Sequence, residues 1–118
     1  MRITSGAQFD QNSRVVNVKT AFARPTGLGD NAFLAAVPGK KIRVIAYRLQ
    51  GVGIVNVKFT DTDGAGVSQT WDLLANEGCA INAPLGSFEF ETATGKGLQV
   101  NLSAAVACNV SVQYLEVD

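Results

Sequence analysis

Glu89 and Glu91 are the one close pair of glutamates in this chain, and a pair of carboxylates flanking a bond is what glycoside hydrolysis requires. Two residues apart on a strand they share a face, and a solvated, ion-paired face opposite Lys40, Lys41 or Arg43 explains them more simply. Histidine is missing altogether, which removes the usual general base, the Ser-His and Cys-His nucleophile pairs and the commonest zinc ligand. Asp61-Thr62-Asp63-Gly64-Ala65-Gly66 with Asp72 places carboxylates at the first, third and twelfth positions of a calcium loop and glycine at the sixth. Ala65 stands where an oxygen ligand belongs, the last position is Asp rather than a bidentate Glu, and no helices flank the segment, so it reads as a turn. Thr94-Gly95-Lys96-Gly97 lacks both the earlier glycine and the following Ser or Thr of a phosphate-cradling loop. Asn101-Leu102-Ser103 and Asn109-Val110-Ser111 match glycosylation acceptors in form only, because a chain without a secretion signal never meets the enzyme. No catalytic residue, cofactor site or metal site is expected, and the chain reads as a non-enzyme.

If the residues do not carry out a reaction, their work is contact. Trp71, Tyr47 and Tyr114 sit on strands of period two, where core packing is the simpler reading, and Trp71 shares a side with Val67 and Leu73. Phe88 and Phe90 follow Pro84-Leu85-Gly86 near a loop end and are expected to be an exposed apolar contact. Phe9 and Arg14, in an otherwise polar amino-terminal segment, complete the expected partner contacts.

The elements that must position these residues are strands. Val15 to Ala23 sets Val16, Val18, Thr20 and Phe22 against Asn17, Lys19 and Ala21, which predicts one covered face. Arg24 to Asp30 is a loop with Pro25 and two glycines. Asn31 to Val37 is a second run, and Pro38-Gly39 leads into Lys41 to Leu49, where Ile42, Val44 and Ala46 oppose Arg43, Ile45, Tyr47 and Leu49. Ile54 to Thr60 faces Val55, Val57 and Phe59 away from Asn56 and Lys58, and Asp63-Gly64 is a hairpin signal. Val67 to Leu73, Cys79 to Pro84, Ser87 to Thr92, the Leu98-Val100-Leu102 stripe, and Val106 to Glu116 with Cys108, Val110, Val112 and Tyr114 on one side complete the series. This predicts an all-β, antiparallel β-sandwich of jelly-roll type with about eight strands. Residues 1–14 are read as a flexible arm that orders on docking and residues 15–118 as a single domain.

The chain has 118 residues, enough for one core, and it is 47% hydrophobic but only 17% charged. A soluble domain usually carries about a quarter charged residues, so part of this surface is expected to be covered by partners. Ten basic residues balance ten acidic ones, leaving a net charge of zero and no field to attract nucleic acid or anionic lipid. The amino terminus lacks the regions of an export signal, and no apolar run approaches the ~20 residues of a membrane span, so synthesis in a cytosol is expected. Cys79 and Cys108 are too few for a disulfide scaffold and read as small apolar groups, with a bond between them left open.

Four blocks, Pro38 to Tyr47, Leu73 to Gly78, Pro84 to Leu98 and Asn101 to Val106, together resemble small all-β proteins common in tailed-phage genomes, many of them virion components. The resemblance covers about Asn31 to Val117. Residues 1–30 fall outside it, and Cys79 and Cys108 stand where small or apolar residues are expected. It carries no catalytic residues. It implies a jelly-roll subunit, a homotrimer, bound to the major capsid protein as a decoration (cement) protein on the capsid surface. The alternative it admits is the receptor-binding head domain of a tail fibre or spike, and a carboxylate glycosidase using Glu89 and Glu91 ranks third.

Overall fold

Segments in which every second side chain is apolar bury one face, and two such layers cover each other. The computed structural model describes residues 7–9, 15–84 and 86–118 and shows two antiparallel layers of this kind. The strands are β1 (Ala7–Phe9), β2 (Val15–Asn17), β3 (Lys19–Ala23), β4 (Gly29–Leu34), β5 (Lys41–Gly51), β6 (Val55–Asp61), β7 (Trp71–Leu73), β8 (Gly78–Asn82), β9 (Phe90–Glu91), β10 (Leu98–Leu102) and β11 (Cys108–Val117). One sheet runs β4-β10-β6-β7, the other β3-β11-β5-β8 with β9 added to β5, and β1 pairs with β2. From β3 to β6 the chain changes sheet at every connection; β6 and β7 form a hairpin, and the chain then crosses again to β8, β10 and β11. That winding is a jelly roll. No helix occurs among the described residues.

Between the layers lie Val55, Val57 and Phe59 of β6, Leu98, Val100 and Leu102 of β10, and Cys108, Val110 and Val112 of β11, as their alternation predicts. Strand β5 departs from its predicted alternation. Ala46 faces Gln113 and Val44 faces Tyr114, so Ile45 is an extra residue with no counterpart on β11. A bulge of this kind shifts the side-chain phase by one position. Ile42 and Val44 therefore share the main core with Tyr47 and Leu49, while Ile45 points to the other side and joins Leu115, Val117 and Val18 in a second, smaller cluster.

The amino-terminal strand is corrected in two ways. It breaks at Val18 into β2 and β3, and Phe22 lies on the outer face, 79% exposed, because the pairing Ser111↔Phe22 and Val112↔Ala21 turns the small Ala21 inward. Strand β4 begins at Gly29 and ends at Leu34, a few residues before the predicted span, and β7 and β9 are shorter than predicted.

Candidate interaction surface

Phe88 and Phe90 part company. Phe90 is 7% exposed and packs in the core against Tyr47 and Phe59, with ring centroids 5.7 and 5.0 Å apart. The expectation that Phe90 is a partner contact is therefore corrected: β9 is only two residues long, and its register with β5, Phe90 opposite Val44, points the ring inward. Phe88 lies before the strand, 41% exposed, with the Arg43 guanidinium 4.6 Å from its ring centroid. Arg14 and the side chain of Phe9 lie outside the described residues.

The remaining sequence candidates resolve into structural parts. The Glu91 carboxylate accepts from Arg43 Nε at 3.0 Å and lies 3.4 Å from Lys41 Nζ, while Glu89 is exposed before β9. Asp61 Oδ1 accepts from the Asp63 and Ala65 amides at 2.8 and 3.1 Å, closing a turn in which Gly64 takes a φ of 84°. Asp63 pairs with Lys96 at 2.8 Å, and among the described residues no cluster of metal-ligating side chains occurs. Trp71 donates its indole N–H to the Tyr47 hydroxyl at 2.9 Å. Burial raises the pKa of that hydroxyl, and the Trp71 bond partly opposes the rise. Cys79 and Cys108 are free and lie on β8 and β11, opposite sides of β5 and staggered by two residues along it, so they are more than two strand spacings (about 9–10 Å) apart, beyond the reach of a disulfide without backbone movement.

Exposed apolar side chains gather at one end of the sandwich. The β3–β4, β5–β6, β7–β8 and β10–β11 loops all lie there, since Gly29, Gly51, Leu73 and Cys108 mark the same end of their strands. They present Leu28 (69% exposed), Val52 (41%), Ile54 (70%) and Leu74 (62%). Backbone bonds fix these loops to one another: Gly51 N–H donates to Glu77 O, Asn76 N–H to Gly51 O, Val52 N–H to Ala107 O and Cys108 N–H to Pro25 O. The Asn31 amide donates to Gly27 O and Gly29 O at 2.8 and 3.1 Å and so holds the loop that carries Leu28. A Cβ at Gly51 would lie 2.9 Å from Gly53 O, and one at Gly53 would lie 3.0 Å from Val106, so both glycines are needed for the close approach. Arg24 and Glu77 are the charged residues of these four loops, and the Glu77 carboxylate accepts from the Leu74 amide at 3.0 Å.

The other end carries the charge: Lys40 with Asp118, Lys41 and Arg43 with Glu91, and Lys96 with Asp63. A third surface, the outer face of the five-stranded sheet, holds a shallow groove of about 650 Å³ lined by Phe22, Arg48, Gln50, Ala80, Asn109 and Ser111. The small side chains of Ala80 and Ser111 make it concave, and Phe22 stands at its edge.

The apolar end escaped the sequence reading. Its signal was nonetheless present: Gly27-Leu28-Gly29 and Gly51-Val52-Gly53-Ile54 put large aliphatic residues inside glycine-rich connections, where polar residues are the rule.

No protein family matches the chain, and no curated protein matches it. Among solved structures, the chain is similar to one from the "acidic stable capsid structure of Helicobacter pylori bacteriophage KHP30", at a TM-score of 0.55 and 17% identity, over 86% of this chain and 93% of that one. At that identity the likeness is one of fold, the two-layered β-sandwich.

Proposed function

We propose that this protein is a structural component of a bacteriophage virion: a homotrimeric decoration (cement) protein that sits on the capsid surface, binds the major capsid protein and stabilises the shell. The observation that carries the reading is the fold shared, over nearly the whole of both chains, with a chain of a phage capsid structure. The surface chemistry supports it. A cement subunit works through covered area, with specific interfaces burying roughly 1,600 Å² in total and symmetric assemblies multiplying each contact. This chain keeps a rigid apolar end available for such burial and pairs Asp63, Glu91 and Asp118 at the opposite end with lysine and arginine.

The fibre-head reading draws less support. A fibre head would meet its receptor through exposed aromatic residues, yet Tyr47 is buried and Trp71 is half-buried against it, so of Tyr47, Trp71 and Phe88 only Phe88 is exposed. The test is the copy number of the protein in purified particles, measured by quantitative mass spectrometry against the shell protein. Hundreds of copies are expected; a handful indicates the tail, and none overturns the virion reading.

A further inference from the structure

On the outer face of the five-stranded sheet, Ala46, Arg48 and Gln50 of β5 stand beside Gln113, Ser111 and Asn109 of β11 and, on the other side, Asn82, Ala80 and Gly78 of β8. Thr20 and Phe22 of β3 lie beyond Gln113 and Ser111. The groove of about 650 Å³ continues here into a second hollow of about 230 Å³ that reaches Thr20, Asn82 and Gln113, and Phe22, Arg48 and Ser111 line both. From Ala46 to Gln50 and from β3 to β8 the surface measures roughly 13 by 14 Å.

Three features of this surface call for a ligand. The Phe22 ring is 79% exposed on a strand, where burial would stabilise it. Arg48 is exposed and has no ion pair or hydrogen bond among the described residues, and no carboxylate lines either hollow. Arg43 on the same strand is different, since its guanidinium is occupied by Glu91 and Phe88. Asn109 Nδ2 donates to Gln50 Oε1 at 3.3 Å, which fixes both amides and leaves Asn109 Oδ1 to accept and Gln50 Nε2 to donate.

We propose that this groove binds an acidic saccharide. The electron-rich face of Phe22 covers the slightly positive C–H face of a sugar ring, the amides and Ser111 pair with hydroxyls that both donate and accept, and the Arg48 fork holds a carboxylate. A protein partner fits less well, because the large aliphatic residues lining the groove, Leu49 and Val110, are buried in the core and leave Phe22 as the one large apolar contact. A nucleic acid requires a row of cations, and Arg48 is the one cation here. The inference stands apart from the virion reading: many copies on one particle would add avidity to the site, but the site does not depend on them.

A glycan array probed with the purified chain, followed by NMR titration with sialyllactose, trigalacturonate and lactose, tests this. Acidic saccharides are expected on the array, and at least one of the two acidic probes is expected to shift the amide signals of Phe22, Arg48 and Ser111, with lactose bound at least about tenfold more weakly. Phe22→Ala and Arg48→Gln are each expected to weaken binding about tenfold or more, with the unfolding midpoint unchanged. Should Phe22→Ala misfold, Gln113→Ala is read in its place. An array on which no acidic saccharide binds, lactose bound as tightly as the acidic probes, or binding indifferent to both variants would each overturn the proposal. Variants lost from purified particles, with a wild type that binds no saccharide, would overturn it by assigning this face to the shell. A chain that binds the acidic probes but is absent from particles sinks the virion reading and leaves this one standing.

Discussion

The two ends of the sandwich are built from the same backbone pattern and opposite side-chain chemistry. At the apolar end the loops bond to one another through main-chain groups, and Leu28, Val52, Ile54 and Leu74 stand exposed with no polar work to do. At the charged end the loops also bond through the main chain, Gly95 N–H to Lys40 O and Thr92 N–H to Ile42 O, but ion pairs add to that and use up the side chains. The lesson is that order in a loop does not show whether its surface is finished. The charged end is complete in water, whereas the apolar end leaves four large aliphatic groups exposed on a fixed frame, an arrangement that burial stabilises.

The largest effect is expected in the core on which both ends rest. Phe90→Ala should cost about 3–5 kcal/mol in urea denaturation, because the ring sits against Tyr47 and Phe59. An unchanged midpoint would return Phe90 to the surface and undo the distinction drawn from Phe88. Next comes the charged end. Arg43 has a side chain only 11% exposed between Phe88 and Glu91, so Glu91→Ala leaves a confined guanidinium without its carboxylate and should cost about 1–3 kcal/mol. A cost near zero would mean that Lys41, Arg43 and Glu91 form no more than a loose surface pair.

A pH series sharpens the same contrast. Lys19, Tyr47, Cys79, Lys96 and Cys108 all hold their protons more tightly than usual: burial acts on the tyrosine and the thiols, the Glu116 hydrogen bond on Lys19 and the Asp63 hydrogen bond on Lys96. Because each folded-state pKa is raised, the unfolded chain releases these protons first as pH rises. The stability they confer is complete below the ordinary values, the lowest of which is 9.0 for the thiols, and is lost as pH climbs through the folded-state values. With no histidine to titrate, the unfolding midpoint should stay level between about pH 6 and 8 and fall above about 9. The smallest expected change is in salt. Molar sodium chloride should alter stability by less than about 1 kcal/mol, since the exposed ion pairs contribute little. A larger loss in salt would show that the pairs at the charged end contribute more than exposed pairs do.

Sequence periodicity revealed the strands that the core fills on one face without interruption. Val55-Val57-Phe59, Leu98-Val100-Leu102 and Cys108-Val110-Val112 read correctly because burial alone sets their phase. Strands β3, β5 and β9 did not, because their phase is set by partners distant in sequence. Phe22 is turned outward by its pairing with β11, Phe90 inward by its pairing with β5, and Ile45 is displaced by a mismatch in length between two strands. The apolar end is assembled from four separate connections, so no local window contains it. Leu28 and Leu74 become neighbours of one surface only once β4 and β7 are known to be the two edges of one sheet.

The unmatched residue in β5 also fixes how the chain can vary. Upstream and downstream halves of that strand serve the same interior in opposite parity only because the bulge intervenes, so excising Ile45 would leave Ile42, Val44, Tyr47 and Leu49 in plain alternation on one face and would cost the second cluster its β5 member. Loss of that one position straightens the strand, whereas loss of Arg48 would set Leu49 directly after Tyr47 and turn it to the outer face.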